Sequence, residues 1–209
     1  MWHPGGRGTA ARVAAIDGYR FPEAMVDRFR QDHPEMQPED SSLVEAAARQ
    51  WFRLTAREPR RRLALPSRAV SGVWLAFLHA EDAYRHFCDE AFGEFLPHKP
   101  PPSGPGEGVA DAPGLLLTFE SALRDEPDPP NGLPWLFRVD AKTQILNARR
   151  YIADCGGGRE CYTVAGSVCL RRLAGTSRDR DKDLGRRIRQ ARTLKGGTNW
   201  PDMRGTPGP

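Results

Sequence analysis

A chain of 209 residues with a formal net charge of +4 has room for one domain with tails. Apolar residues make up only 39%, and the 21 Gly and 19 Pro cluster rather than spread, so part of the chain lies outside any core. The longest strongly apolar run, Val73 to Leu78, is far too short to cross a bilayer, and Met1 to Arg20 holds no apolar stretch of signal-peptide length. The reading is therefore cytoplasmic, without membrane association, with the four Cys reduced.

Residues 1–17 are rich in Gly, Ala and Arg without a helical period and read as a flexible N-terminal arm. A first helix is expected near Phe21, with Pro22 at its first position and Met25, Val26 and Phe29 as its apolar stripe. Pro34 stops it. Ser42 and Glu45 have capping-box spacing before Leu43, Val44, Ala47, Trp51 and Leu54, which recur at helical intervals. Arg57, Arg60, Arg61 and Arg62 around Pro59 end that helix.

Ser67 is the next N-cap, followed by Val70, Val73, Trp74, Phe77 and Leu78 on one face. Tyr84, Phe87, Cys88, Ala91, Phe92 and Phe95 continue the stripe. Glu81 and Asp82 interrupt it, which predicts two helices with a bend near His79 to Asp82 and Asp82 capping the second. A Pro/Gly-rich loop is expected over 97–114. Leu115 to Leu123 reads as a short helix, and Trp135 to Val139 as a short strand or buried extended segment. Asp140 then caps a helix with Ile145, Leu146 and Ile152 inside, and Gly156 to Gly158 break it. Residues 162–173 fit strand or helix equally. The expected fold class is mainly α: a small irregular helical domain over 18–174 and a basic, disordered tail over 175–209 with room for a short helix at 184–194.

Within the central block, Trp74, Tyr84, Cys88 and Phe92-Gly93 fall at intervals of ten, four and four residues. That spacing resembles a motif of glycine-rich-domain-containing proteins of plants and fungi and their uncharacterised bacterial relatives. Pro66-Ser67, His98-Lys99-Pro100 and Asp154-Cys155-Gly156-Gly157-Gly158 are similar to the bacterial relatives too. The likeness spans about 18–173. Where that motif has His after the Trp, this chain has Leu75. The resemblance implies no particular activity.

Three chemistries compete with plain packing. Cys88, Cys155, Cys161, Cys169 and His98 are the candidate ligands of a metal, zinc by preference, because thiolates suit tetrahedral zinc. Their spacing is not the close pair such sites favour: five residues separate Cys155 from Cys161 and seven separate Cys161 from Cys169. Cys88 with His98 is also conceivable as a nucleophile and base across Pro97. Adjacent carboxylates such as Glu81-Asp82 point about 100° apart on a helix and make no acid/base couple.

The second chemistry is nucleic-acid binding. Residues 171–209 carry a net charge of +7 and the rest −3, so Arg186, Arg187, Arg189 and Arg192 could give weak, salt-dependent binding to polyanions. The third is a protein partner or self-association through the six aromatic residues between Trp74 and Phe95. The reading prefers a binding or structural role to an enzymatic one, with a metal-binding or redox protein and a nucleic-acid-binding tail as its alternatives.

Overall fold

The computed structural model describes residues 8–98, 111–155 and 167–176. Among them, helices α1 (Thr9–Gly18), α2 (Glu23–Asp32), α3 (Asp40–Arg57), α4 (Arg68–His79) and α5 (Glu81–Ala91) come first. Helices α6 (Ala112–Asp125) and α7 (Trp135–Thr143), strands β1 (Arg150–Ile152) and β2 (Ser167–Cys169), and helix α8 (Leu170–Thr176) follow. A 3-10 turn at Pro130–Gly132 precedes α7. The mainly helical class expected from the sequence is therefore what the chain adopts. The two strands pair in parallel, with Tyr151 opposite Val168.

Helix α3 is the axis of the fold and packs against α1, α4, α6 and α7. It can do so because Val44, Ala47, Ala48, Trp51, Phe52 and Leu54 are all buried, with alanines small enough to admit neighbours on more than one side. Asp40 in its first turn and Arg57 in its last complement the helix dipole. The expected capping box at Ser42 and Glu45 does not form. The helix starts two residues earlier, and the Ser42 hydroxyl donates to the Glu39 carbonyl.

Four other expectations differ from the structure. The arm expected over 1–17 contains α1, whose Ile16 is fully buried and whose final carbonyls accept from Arg49 of α3. The strand expected at 135–139 is the start of α7. Its first amides donate to the carboxylate of Glu126 and to Gln50 Oε1, caps that lie far away or outside the segment's own pattern. The helix expected to start at Asp140 is absent: Asp140 lies inside α7, Gln144 (φ 51°) ends that helix in the left-handed region, and β1 follows. The loop expected over 97–114 gives its last three residues to α6, capped by Asp111 accepting from the Gly114 amide at 3.1 Å.

Ser67 caps α4 as expected, accepting from the Val70 amide at 3.0 Å. The bend between α4 and α5 falls on Ala80 (φ −91°, ψ 63°), which is the last cap of one and the first of the next. Asp82 does not cap α5 but sits with Glu81 in its first turn, favourable for the dipole. Gly72 lets α2 and α4 close on each other, since a Cβ there would lie 2.5 Å from His33 Nε2.

Edge-to-face rings fill the core: Phe52 against Trp74 and Phe87, Phe77 against Tyr84, and, in a second group, Phe137 against Phe119 and Tyr151. Each such side chain contributes about 1.5–3 kcal/mol by burial. Among the described residues, no helix is long and apolar enough to cross a membrane.

Candidate functional site

The Trp/Tyr/Cys/Phe-Gly spacing in the sequence builds one connected polar chain through the core. Trp74 and Tyr84 lie on consecutive helices with their rings turned inward, and Trp74 Nε1 donates to the Tyr84 hydroxyl at 2.8 Å. That hydroxyl donates in turn to the Leu96 carbonyl at 2.5 Å. Leu96 returns a backbone hydrogen bond to Cys88. Gly93 (φ 77°) makes the sharp exit from α5 that brings the chain back over the pair, and its amide shares the Cys88 carbonyl with that of Phe92. His98 closes the group. Its Nε2 lies 3.1 Å from Ser71 Oγ, and its ring stands edge-on to Trp74 at 4.8 Å.

This environment suppresses chemistry. Burial pushes the Cys88 thiol pKa up, so the neutral form prevails at neutral pH and the reactive thiolate is rare. Burial likewise raises the Tyr84 hydroxyl and lowers His98, leaving a neutral imidazole. Cys88 faces Tyr84 and Leu96 whereas His98 faces Ser71 and Trp74, so each member of the expected nucleophile-base pair is engaged elsewhere. Leu75, the residue in the place of the motif's His, is 45% exposed and points away from this group.

Four of the five candidate metal ligands fall among the described residues, in two places: Cys88 and His98 near Trp74, and Cys155 and Cys169 around Arg171. Cys88 is in the core under α5, His98 is beside Ser71, and Cys169 ends β2. Cys155 is half-buried two residues after Ala153, whose carbonyl accepts from the Arg171 amide, and Cys161 lies outside the described residues. Among the described residues, no three His, Cys, Asp or Glu side chains are grouped to hold a metal. Arg186, Arg187, Arg189 and Arg192 of the tail also lie outside the described residues.

A second polar centre was invisible in the sequence. The buried carboxylate of Asp140 accepts four hydrogen bonds: Ser67 Oγ at 2.6 Å, the amides of Arg68 and Ala69 at 2.9 and 3.1 Å, and the amide of Arg149 at 3.1 Å. It thus places a negative charge on the start of α4 and fastens α7 and β1 to it. Tyr151 adds a bond from its hydroxyl to the Pro66 carbonyl at 2.8 Å, its pKa pushed up to about 12 by burial. With its oxygens turned into these donors, Asp140 acts as an anchor.

An open concavity lies on another face. A cleft of about 520 Å³ is lined by Thr9, Arg57, Glu58, Pro59, Arg60, Arg61 and Arg124. It forms where α3 ends, α6 ends and α1 begins. Carboxylates fix three of these four guanidinium groups: Asp125 holds Arg57, together with Arg53 outside the lining, and Glu58 in the lining holds Arg61 and Arg124. Burial alone would raise the pKa of Asp125 and Glu58. Arg53 and Arg57 on the first, and Ser121, Arg124 and Arg61 on the second, outweigh it and hold both below the usual carboxylate range. The sequence showed Arg57 and Arg60 to Arg62 as a helix stop only. Arg124 joins them through the packing of α6 on α3, and the high Arg density around Pro59 was the one available signal.

Fold and centres together define a mainly helical domain around one long central helix, with a largely buried polar network inside and a basic cleft outside. The chain belongs to the UCP032817-like family, whose model matches residues 11–170. This corrects the assignment suggested by the central motif, since the matching family is not that of the glycine-rich-domain-containing proteins. In this chain the spacing serves packing: ring, hydroxyl, thiol and glycine stand where two short helices and a sharp exit need them. Comparison with curated proteins and with solved structures finds no match.

Proposed function

We propose that this chain is a binding protein, with a rigid helical scaffold carrying its recognition surface where α1, α3 and α6 meet. One observation carries the reading. The side chains with most chemical potential, Cys88, His98, Tyr84 and Asp140, are engaged by internal partners, while the cleft at Arg57 to Arg61 is open and lined by polar groups. Enzymes instead keep a nucleophile, acid or base facing a cavity. The raised thiol of Cys88 supports the reading, because a catalytic cysteine needs a stabilised thiolate.

The test is native mass spectrometry of the full chain purified at low salt without chelator. A non-covalent adduct that dissociates as salt rises is the expected result. A stoichiometric metal ion, or a bare chain under all conditions, contradicts the reading.

A further inference from the structure

Resting on that reading, the geometry points to a ligand class: we infer that the cleft lined by Arg57, Arg60, Arg61 and Arg124 binds a small molecule carrying two linked phosphoryl groups. Four guanidinium groups face the cleft against one carboxylate, Glu58. That carboxylate is already taken, since its oxygens hold Ser121, Arg124 and Arg61. An arginine has five N–H donors, and a carboxylate occupies at most two of them at a time. The ion pairs to Asp125, Glu58 and Glu120 therefore position Arg57, Arg61 and Arg124 while leaving donors of each available to an oxyanion.

Arg60 differs from the others. Among the described residues its side chain has no hydrogen bond or ion pair, yet its backbone is held. The Arg61 amide donates to the Glu58 carbonyl at 3.0 Å, closing a turn with Pro59 at its second position. This stiff turn presents an uncompensated positive charge at the cleft at little further cost in backbone order. Thr9 at the start of α1 also lines the cleft. The volume of about 520 Å³ is enough for a small anion. A single phosphoryl group engages one or two guanidinium forks, so the free fork of Arg60 together with the remaining donors of Arg57, Arg61 and Arg124 favours two linked phosphoryl groups.

The experiment is calorimetric titration of the full chain with inorganic pyrophosphate, with sulfate as the single-centre comparison. Two variants each remove one positive charge. Arg60→Gln removes a cleft group without a partner among the described residues. Arg62→Gln removes a neighbour whose side chain is 87% exposed and which does not line the cleft. Expected are saturable one-to-one binding of pyrophosphate, weaker binding of sulfate, and a loss of roughly fivefold or more with Arg60→Gln. Arg62→Gln should bind within about twofold of the parent. The absence of saturable binding, equal affinity for sulfate, or equal losses in the two variants would each overturn the inference. An adduct in native mass spectrometry that lacks phosphorus would overturn it too, while leaving the binding reading in place.

Discussion

The sealed network around Trp74 and the arginine cleft at Pro59 use similar polar chemistry to opposite ends. In the first, each strong donor or acceptor meets a partner of the same protein: Trp74 with Tyr84, Tyr84 with Leu96, Ser71 with His98. In the second, Arg57, Arg61 and Arg124 are paired to Asp125, Glu58 and Glu120, and Arg60 is left facing solvent. A buried polar group without a partner is costly, so the core holds most such groups in closed sets, the Trp51 indole N–H beside Trp74 being buried without a hydrogen-bond partner among the described residues. An exposed cation carries little such penalty, so a surplus can remain at the surface and serve recognition. Sequence density of unusual residues therefore marks the scaffold here, whereas the open site is assembled from an ordinary-looking arginine run and a distant helix.

Breaking the sealed side should cost most. Replacing Asp140 with Ala strips one hydroxyl and three amides of their acceptor at once, and urea denaturation should register a loss of about 3 kcal/mol or more. A loss below about 1 kcal/mol would mean that the carboxylate is not the anchor of α4. Tyr84→Phe removes the acceptor of the buried Trp74 N–H and the donor to Leu96, so about 1–3 kcal/mol should disappear. Gly72→Ala forces a methyl group against His33, with an expected loss of about 1 kcal/mol or slightly more, read from the same denaturation curves.

Acid sharpens the comparison from the other direction. Asp125 and Glu58 have folded-state pKa values below their unfolded ones, so their contribution is present above the unfolded values, about 4, and is lost as pH falls through the folded ones. His98 is lowered as well, so the folded state resists its protonation and loses stability as pH drops below about 6.5 towards its folded value. Melting temperature should therefore decline in two stages on acidification, and His98→Gln should remove the earlier one. The smallest change is expected from Arg60→Gln, whose effect on stability should stay within about 0.5 kcal/mol because the side chain has no partner among the described residues.

The sequence made the helical class legible because burial repeats at helical spacing in α2 to α5, and because Ser67 is a local cap whose partner is three residues away. It failed where the partner is distant. Trp135 to Val139 is a short apolar run that suits a strand, and only Glu126 and Gln50 make it a helix start. Asp140 was assigned a cap of its own segment, whereas it caps α4, some seventy positions earlier. Helix α1 lacks a local cap and a strong apolar stripe, and its stability rests on Ile16 and on Arg49 of α3. The same limit hid the cleft, since no local rule joins Arg124 to Arg57, Arg60 and Arg61.

Hydrogen exchange of the full chain, with and without pyrophosphate, tests both halves of the comparison at once. Backbone amides of α4 and α5 should exchange only by global unfolding in either condition. Ligand should slow exchange at residues 57–62 and at the end of α6, with no local change between Ser71 and His98 beyond the uniform stabilisation that binding brings. Protection that appears first around Ser71, Cys88 and His98, with the cleft unaffected, would contradict this division between sealed scaffold and open site.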